Sequence, residues 1–474
     1  MGAKQEFIEI FQENVKRPGS EKLLEWLCQS DFFIAPASTK YHSAFVGGLV
    51  LYYISLAFSG GDWATYPANK HIYSNGILVK AGEITDRDGV VLAKTEDGKR
   101  LYNSNSSIRK ATVHAVGDLN GFVSTGMHSA YLKELCGYDP VNGVYNLSGE
   151  GNNIQLTLDS DVCVTAYEAL GSKAGTVGVY NYKTGEIVCM VSTPTFDPAK
   201  EETSNEKGVY VNRLLSGVYA PGSIFKLVTA LSALENLPDA REMTFSCTRG
   251  VTIAGEWLSC LGNHGDIDLD NALVHSCNAF FAQTALKLDR KVLTATAEKV
   301  GFNKTIKMNG IKCAQSKYEV SDSRDIDFGW SGIGQHNDLV NPFQYLTFMG
   351  GIANDGKSVN PYIVNRITTS SGFPIRTAIK SSKRLMSKEN SEILTQMMRN
   401  NVKKNYGDWR FSGLEVCGKT GTAEVGDNST PHSWFVGFCD NEETPFAFTV
   451  IVENAGAGNG AATQIASKVL SKLK

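Results

Sequence analysis

Ala220-Pro221-Gly222-Ser223-Ile224-Phe225-Lys226-Leu227-Val228-Thr229-Ala230 is the stretch on which the fold of this chain turns. Pro221-Gly222 marks a turn, and the apolar run over 227–234 that follows it reads as a helix. Ser223 then falls in the first helical turn, and Lys226, three residues on, shares its face. A serine hydroxyl is a poor nucleophile near neutral pH and needs a base beside it. A lysine serves as that base only when burial or a second cation lowers its pKa. S-x-x-K alone is a weak signal, because it recurs at Ser107, Ser204 and Ser471. Only the copy at Ser223 has a turn before it and an apolar helix after it.

Two further patterns give it weight. Ser276-Cys277-Asn278 ends a helical pattern and offers a hydroxyl and an amide to one cleft, although S-x-N also occurs at Ser358. Lys419-Thr420-Gly421-Thr422 reads as a strand, with Lys419 and Gly421 on one side and Thr420 and Thr422 on the other. Gly421 there would let a substrate backbone come close. A second K-T-G at Lys183-Thr184-Gly185 precedes the serine and reads as a hairpin turn. The order is the specific feature: S-x-x-K, then S-x-N 53 residues on, then K-T-G 143 further.

That ordered set resembles the penicillin-binding proteins and serine β-lactamases. The resemblance covers roughly residues 62–474 and includes 181–186 (NYKTGE), 194–198 (PTFDP) and 434–438 (WFVGF). Asp86-Arg87-Asp88-Gly89 is similar to the pedestal motif of the monofunctional class B group. It implies an α+β domain with a central antiparallel sheet flanked by helices, a helical subdomain, a small β-rich pedestal and one N-terminal transmembrane helix. It also implies a D,D-transpeptidase that cross-links peptidoglycan stem peptides ending in D-Ala-D-Ala and is acylated by β-lactams. Ser223 would be the nucleophile, Lys226 its base and Ser276 the proton relay to the leaving amine. Asn278 would hold the substrate amide, and Lys419 would supply positive charge. Thr420 and Thr422 would bind the substrate carboxylate beside Gly421, and the backbone N–H groups of Ser223 and Thr422 would form the oxyanion hole. A multispanning glycosyltransferase is the implied partner, with no cofactor and no metal. A β-lactamase, a D,D-carboxypeptidase or a non-catalytic β-lactam sensor shares the same motifs. The chain departs from the pattern at Ala81-Gly82, where Arg-Gly is usual, and at Gly334-Gln335-His336, where Gly-Gln-Gly is frequent. His336 reads either as an altered cleft rim or as a surface side chain, and Cys277 as packing.

The rest of the sequence sets limits. With 46 Lys and Arg against 49 Asp and Glu in 474 residues, the net charge is −3, so a basic nucleic-acid surface is not indicated. Residues 41–61 contain no Asp, Glu, Lys or Arg. As a helix they span about 31 Å, enough for a bilayer core. A single membrane anchor with an extracellular catalytic domain is expected, with a buried soluble helix or a signal peptide as alternatives. The expected organisation is a partly helical cytoplasmic tail over 1–40, the anchor over 41–61, the pedestal over 62–150 and the transpeptidase domain over 151–474. Long helices are expected at 224–236, 270–289 and 388–404, and late strands at 433–438 and 446–452. The ten cysteines show no C-x-x-C pair, and the histidines lack metal-ligand spacing. Cys247 and Cys260 form either a disulfide or two free thiols.

Overall fold

The structure is a computed structural model that describes residues 37–66, 68–74, 77–139, 143–144, 150–200, 204–424, 430–456 and 460–474. Most of the expected tail at 1–40 lies outside the described residues.

A five-stranded antiparallel sheet organises the catalytic half. Its spatial order is Val416–Ala423, His432–Cys439, Phe446–Val452, Gly175–Asn181, Ile187–Thr193. Chain ends and chain middle therefore meet in one sheet, as expected. The strands are almost continuously buried, so they read as apolar runs without alternation. Helices cover the sheet on both sides. Pro342–Ala353, with Phe343, Leu346, Phe348 and Met349 buried, packs against its centre. Ala461–Lys472 and Ser160–Leu170 pack on each other and close the other side. Each fully buried Leu or Phe in these layers contributes roughly 1.5–3 kcal/mol.

A second sheet has six strands and includes the segments Ile84–Thr85, Val91–Glu96 and Lys99–Tyr102 of the region expected to be a pedestal. Its order is Pro374–Thr377, Val364–Thr368, Asn153–Leu156, Ile84–Thr85, Val91–Glu96, Lys99–Tyr102. The Asp88-Gly89 turn does join two antiparallel strands. The strand Asn153–Leu156 pairs with both Ile84–Thr85 and Val364–Thr368 in this sheet. This sheet therefore draws strands from either side of residue 150, the expected boundary between pedestal and transpeptidase domain.

Asp86 explains how the two parts are held. Its carboxylate is buried and accepts from the backbone N–H of Asp88, Val90 and Ser160 and from the Ser160 hydroxyl at 2.6 Å. Arg109 grips Asp197 through two 2.7 Å bonds across the same junction. The buried Arg100 guanidinium donates to the carbonyls of Ala81 and Gly82. A side chain at Gly82 would meet the Asn152 carbonyl oxygen at 2.0 Å, so the glycine is kept for close backbone contact.

The expected anchor is a 28-residue helix, Ala37–Ala64. Among the described residues no helix is long and apolar enough to cross a membrane. Gly47, Gly48, Ser55, Ser59, Gly60 and Gly61 dilute its hydropathy. The helix is nevertheless apolar on the outside: Phe45, Val46, Val50, Tyr52 and Tyr53 are exposed.

Candidate active site

The serine turn is built by backbone contacts that admit no side chain. Gly222 sits at φ +56°, and a Cβ there would lie 2.2 Å from the Thr422 carbonyl oxygen. Its N–H donates to the Gly334 carbonyl at 2.8 Å. Ser223 follows in the short 3₁₀ turn Gly222–Ile224, and the helix Lys226–Asn236 begins at the lysine. Tyr345 Oη donates to the Ile224 carbonyl at 2.6 Å, and Trp434 Nε1 to the Ala220 carbonyl at 3.0 Å, pinning the turn from both sides.

The second motif lies at a break between two helices. A single helix is expected over 270–289, but Leu269–Val274 and Asn278–Leu288 are separate. The first ends in a Schellman arrangement: Cys277 N–H donates to Ala272 O at 2.9 Å and Ser276 N–H to Leu273 O at 3.2 Å. Ser276 occupies the left-handed position at φ +51°, a conformation that usually falls to glycine. Cys277 then caps the next helix, its sulfur accepting from Phe280 N–H.

These segments meet at Lys226. Its side chain is fully buried, and Nζ lies 2.7 Å from Ser276 O, 2.7 Å from Asn278 Oδ1, 3.1 Å from Ser223 Oγ and 3.1 Å from Ser276 Oγ. Burial holds its pKa well below the ordinary lysine value, and the Lys419 charge lowers it further. Lys419 Nζ donates to Ser276 Oγ at 3.0 Å and to Thr420 O at 3.0 Å, and burial brings its pKa down to about 7. Ser276 Oγ is thus shared by both lysines. Five of the expected residues, Ser223, Lys226, Ser276, Asn278 and Lys419, stand in one hydrogen-bonded group.

The remaining expected residues are placed with differences. The Thr420 hydroxyl and the Tyr406 hydroxyl are 2.9 Å apart, and Thr420 N–H also donates to Tyr406 Oη. A Cβ on Gly421 would meet the Pro221 carbonyl at 2.9 Å and Ile224. Its missing side chain lets the serine turn approach the strand, where a substrate backbone had been expected. Asn278 Nδ2 donates to Ser259 O at 3.0 Å, so both ends of that amide are held within the protein. Thr422 contributes its carbonyl to Gln335 Nε2 at 3.4 Å and backs the serine turn. His336 is exposed at φ +75°, with Asn337 Nδ2 beside it at 3.1 Å. Lys183 donates to Asn354 Oδ1 in the expected hairpin turn. Tyr406 is the residue that sequence reasoning missed here. It follows the helix Lys388–Asn401 in a short π turn, Val402–Tyr406, and no local pattern marks it.

The sequence profile of the penicillin binding protein transpeptidase domain matches residues 175–471. The chain belongs to that family. It is 26% identical over 445 residues to peptidoglycan D,D-transpeptidase PbpA of Mycolicibacterium smegmatis, covering 85% of this chain and 90% of the relative. Its structure is similar to the D,D-transpeptidase domain of a peptidoglycan glycosyltransferase from Eggerthella lenta, with TM-score 0.72, 27% identity and coverage of 83% and 97%. It also shares the fold of penicillin-binding protein A from M. tuberculosis, solved as a penicillin G acyl-enzyme complex, with TM-score 0.73, 24% identity and coverage of 83% and 99%.

Proposed function

We propose that this chain is a peptidoglycan D,D-transpeptidase that works through an acyl-enzyme on Ser223. The observation that carries the reading is the placement of Lys226. Two of its four polar neighbours, Ser276 O and Asn278 Oδ1, are carbonyl oxygens that can only accept, and they are the two nearest. A neutral amine has two N–H donors and one lone pair. The donors go to the two carbonyls, and the lone pair is left for a hydroxyl proton. Ser223 Oγ at 3.1 Å is within reach of it.

The steps follow from these positions. Ser223 Oγ attacks the carbonyl of the penultimate D-Ala as its proton passes to Lys226 Nζ. The oxyanion forms against the backbone N–H groups of Ser223 and Thr422, each such donor worth about 3 kcal/mol of barrier. Ser276 Oγ lies between Lys226 and Lys419, 3.1 and 3.0 Å from their nitrogens, and relays the proton to the leaving D-Ala amine. The C–N bond breaks and the acyl-serine remains. The amine of a second stem peptide then attacks the ester, loses its proton along the same route and releases Ser223. Lys419, with Thr420 and Thr422, faces the terminal carboxylate. Gly421 holds the strand against the serine turn, and Asn278 orients Lys226. A β-lactam enters the same first half and stays as the acyl-enzyme.

In this proposal the helix over 41–61 anchors the chain in the membrane, and the pedestal and the transpeptidase domain lie outside the cell. The exposed Phe45, Val46, Val50, Tyr52 and Tyr53 support contact of the helix with the membrane. The glycan strands come from a multispanning glycosyltransferase acting beside it. The test is labelling with fluorescent penicillin, followed by product analysis with a donor stem peptide and an amine acceptor. Stable label in wild type, no label in Ser223→Ala, and a cross-linked product are expected. Absence of label in the wild-type protein would overturn the proposal, and release of the label within seconds would make it a β-lactamase.

A further inference from the structure

Behind the Ser276-Cys277-Asn278 segment lies a cluster that the reaction does not use. The side chains of Cys247, Cys260, His264 and Cys277 place their donor atoms within 4.8 Å of one another. Cys247 and Cys277 are fully buried, and Cys260 and His264 are half-buried. His264 Nδ1 is 3.5 Å from Cys247 Sγ and 3.6 Å from Cys260 Sγ, and Cys260 Sγ is 3.9 Å from Cys277 Sγ. In a tetrahedral zinc site with Zn–S near 2.3 Å and Zn–N near 2.0 Å, neighbouring donor atoms are separated by roughly 3.5–3.8 Å. The three measured separations fall at or close to that range. All four cysteines and histidines could have been packed apart, and no disulfide joins the three thiols.

The backbone is bent to make this arrangement. Cys247 lies in the strand Phe245–Ile253 and Cys260 and His264 in its hairpin partner Glu256–Ile267. Residues four apart in a regular strand are about 13 Å from each other. Here register shifts between Ser259 and Asn263, and between Asn263 and Gly265, fold the strand so that the two side chains converge. Gly262, between them, has no room for a side chain, because a Cβ would meet the His264 ring at 2.6 Å. Asn278 N–H donates to Cys260 Sγ at 3.2 Å, an arrangement that suits a thiolate.

We propose that Cys247, Cys260, His264 and Cys277 form a tetrahedral Zn²⁺ site that fastens the catalytic Ser276-Cys277-Asn278 segment to the hairpin. Three sulfur donors and one nitrogen in tetrahedral disposition select zinc over the hard divalent ions. Four protein ligands close the coordination sphere, so the ion is structural and takes no part in the acyl transfer. Its effect on catalysis runs through Cys277, whose neighbours on either side contact Lys226 directly. The metal site stands on geometry alone; only its effect on acylation rests on the proposed function.

The test starts with the full-length protein purified under reducing conditions, with zinc measured by elemental mass spectrometry. One zinc per chain is expected, lost in Cys260→Ser and in His264→Asn. His264 is half-exposed, so that variant is expected to keep its fold, checked by circular dichroism. Replacement by Co²⁺ should give the strong visible absorption of a tetrahedral thiolate centre, absent in both variants. Removal of zinc by a chelator should slow acylation by fluorescent penicillin at least tenfold, and added zinc should restore it. Substoichiometric metal with freely alkylated thiols, a Cys260–Cys277 disulfide in the native protein, or zinc retained in both variants would overturn the site. Unchanged acylation after verified zinc loss would overturn the fastening role. Failure of the transpeptidase reading looks different, because it leaves the zinc-loaded protein unlabelled.

Discussion

Replacing Lys419 by methionine tests whether its charge, rather than its contact with substrate, keeps Lys226 available as a base. Both nitrogens lie close to Ser276 Oγ, at 3.1 and 3.0 Å, so they are no more than about 6 Å apart. Two unit charges at that distance interact by about 2.8 kcal/mol at an effective dielectric of 20, equivalent to about 2 pKa units. The sign is fixed. A protonated Lys419 disfavours a second proton on Lys226, so its removal raises the Lys226 pKa. Because the two lysines titrate as a pair, with Lys419 lowered to about 7, the full effect applies only where Lys419 carries its proton. The assay is the second-order rate of acylation by a penicillin as a function of pH. The rate rises as Lys226 loses its proton, and in Lys419→Met the inflection should move to higher pH by up to about 2 units. Acylation at pH 7 should fall and be largely recovered under alkaline conditions. If Lys419 only binds the substrate carboxylate, the rate falls at every pH and the inflection stays in place, which would refute the charge argument.

Two further substitutions examine the scaffold. Gly222→Ala puts a side chain at φ +56° and 2.2 Å from the Thr422 carbonyl, so a loss of about 1–3 kcal/mol in urea unfolding and at least a tenfold slower acylation are expected; wild-type behaviour in both would show that the turn tolerates a Cβ. Asp86→Ala removes the buried acceptor of three backbone N–H groups and the Ser160 hydroxyl, and should cost about 2–4 kcal/mol in the same experiment. Its penicillin acylation should persist where the protein stays folded, and loss of acylation in a folded variant would place the Asp86–Ser160 contact in the catalytic machinery.

Motif order made the catalytic group legible because each motif carries a local signal. Pro221-Gly222 announces the serine turn, and burial of Lys226 follows from the apolar helix it opens. The end of a helical pattern at Ser276-Cys277-Asn278 was legible, but not that a separate helix begins at Asn278 inside the expected 270–289 segment. The residues over 273–278 include neither glycine nor proline, and a serine takes the left-handed position that would normally betray a helix end. The six-stranded sheet was only half visible for a different reason. Local pattern identifies a strand at Asn153–Leu156, but not that its neighbours are Ile84–Thr85 and the distant Val364–Thr368. The Cys–His cluster escaped for a third reason. Its ligand spacings come from a hairpin whose register shifts, so four residues of strand do not carry the separation that regular geometry would give them. Of the two readings left open for Cys247 and Cys260, two free thiols hold, and both face His264.

These unread features lie beneath the legible ones and fix their geometry. Ser276 and Asn278 supply three of the four polar neighbours of Lys226, and neither position is set by the motif that names it. Ser276 is held by the Schellman bonds of the preceding helix, and Asn278 by Ser259 O and by Cys260 Sγ. A fully buried ammonium would cost several kcal/mol without exact acceptors, whereas a neutral amine needs only two acceptors and one donor. The surroundings provide two carbonyls and two hydroxyls, which satisfies the neutral form completely. Displacing Ser276 O by one ångström would leave a donor unpaired in a dry site and move the lone pair off Ser223. The tolerance of the chemistry is therefore set by the segments that hold the motif, and Cys260 of the hairpin meets that motif at Cys277 Sγ, 3.9 Å away, and at the Asn278 N–H, 3.2 Å away.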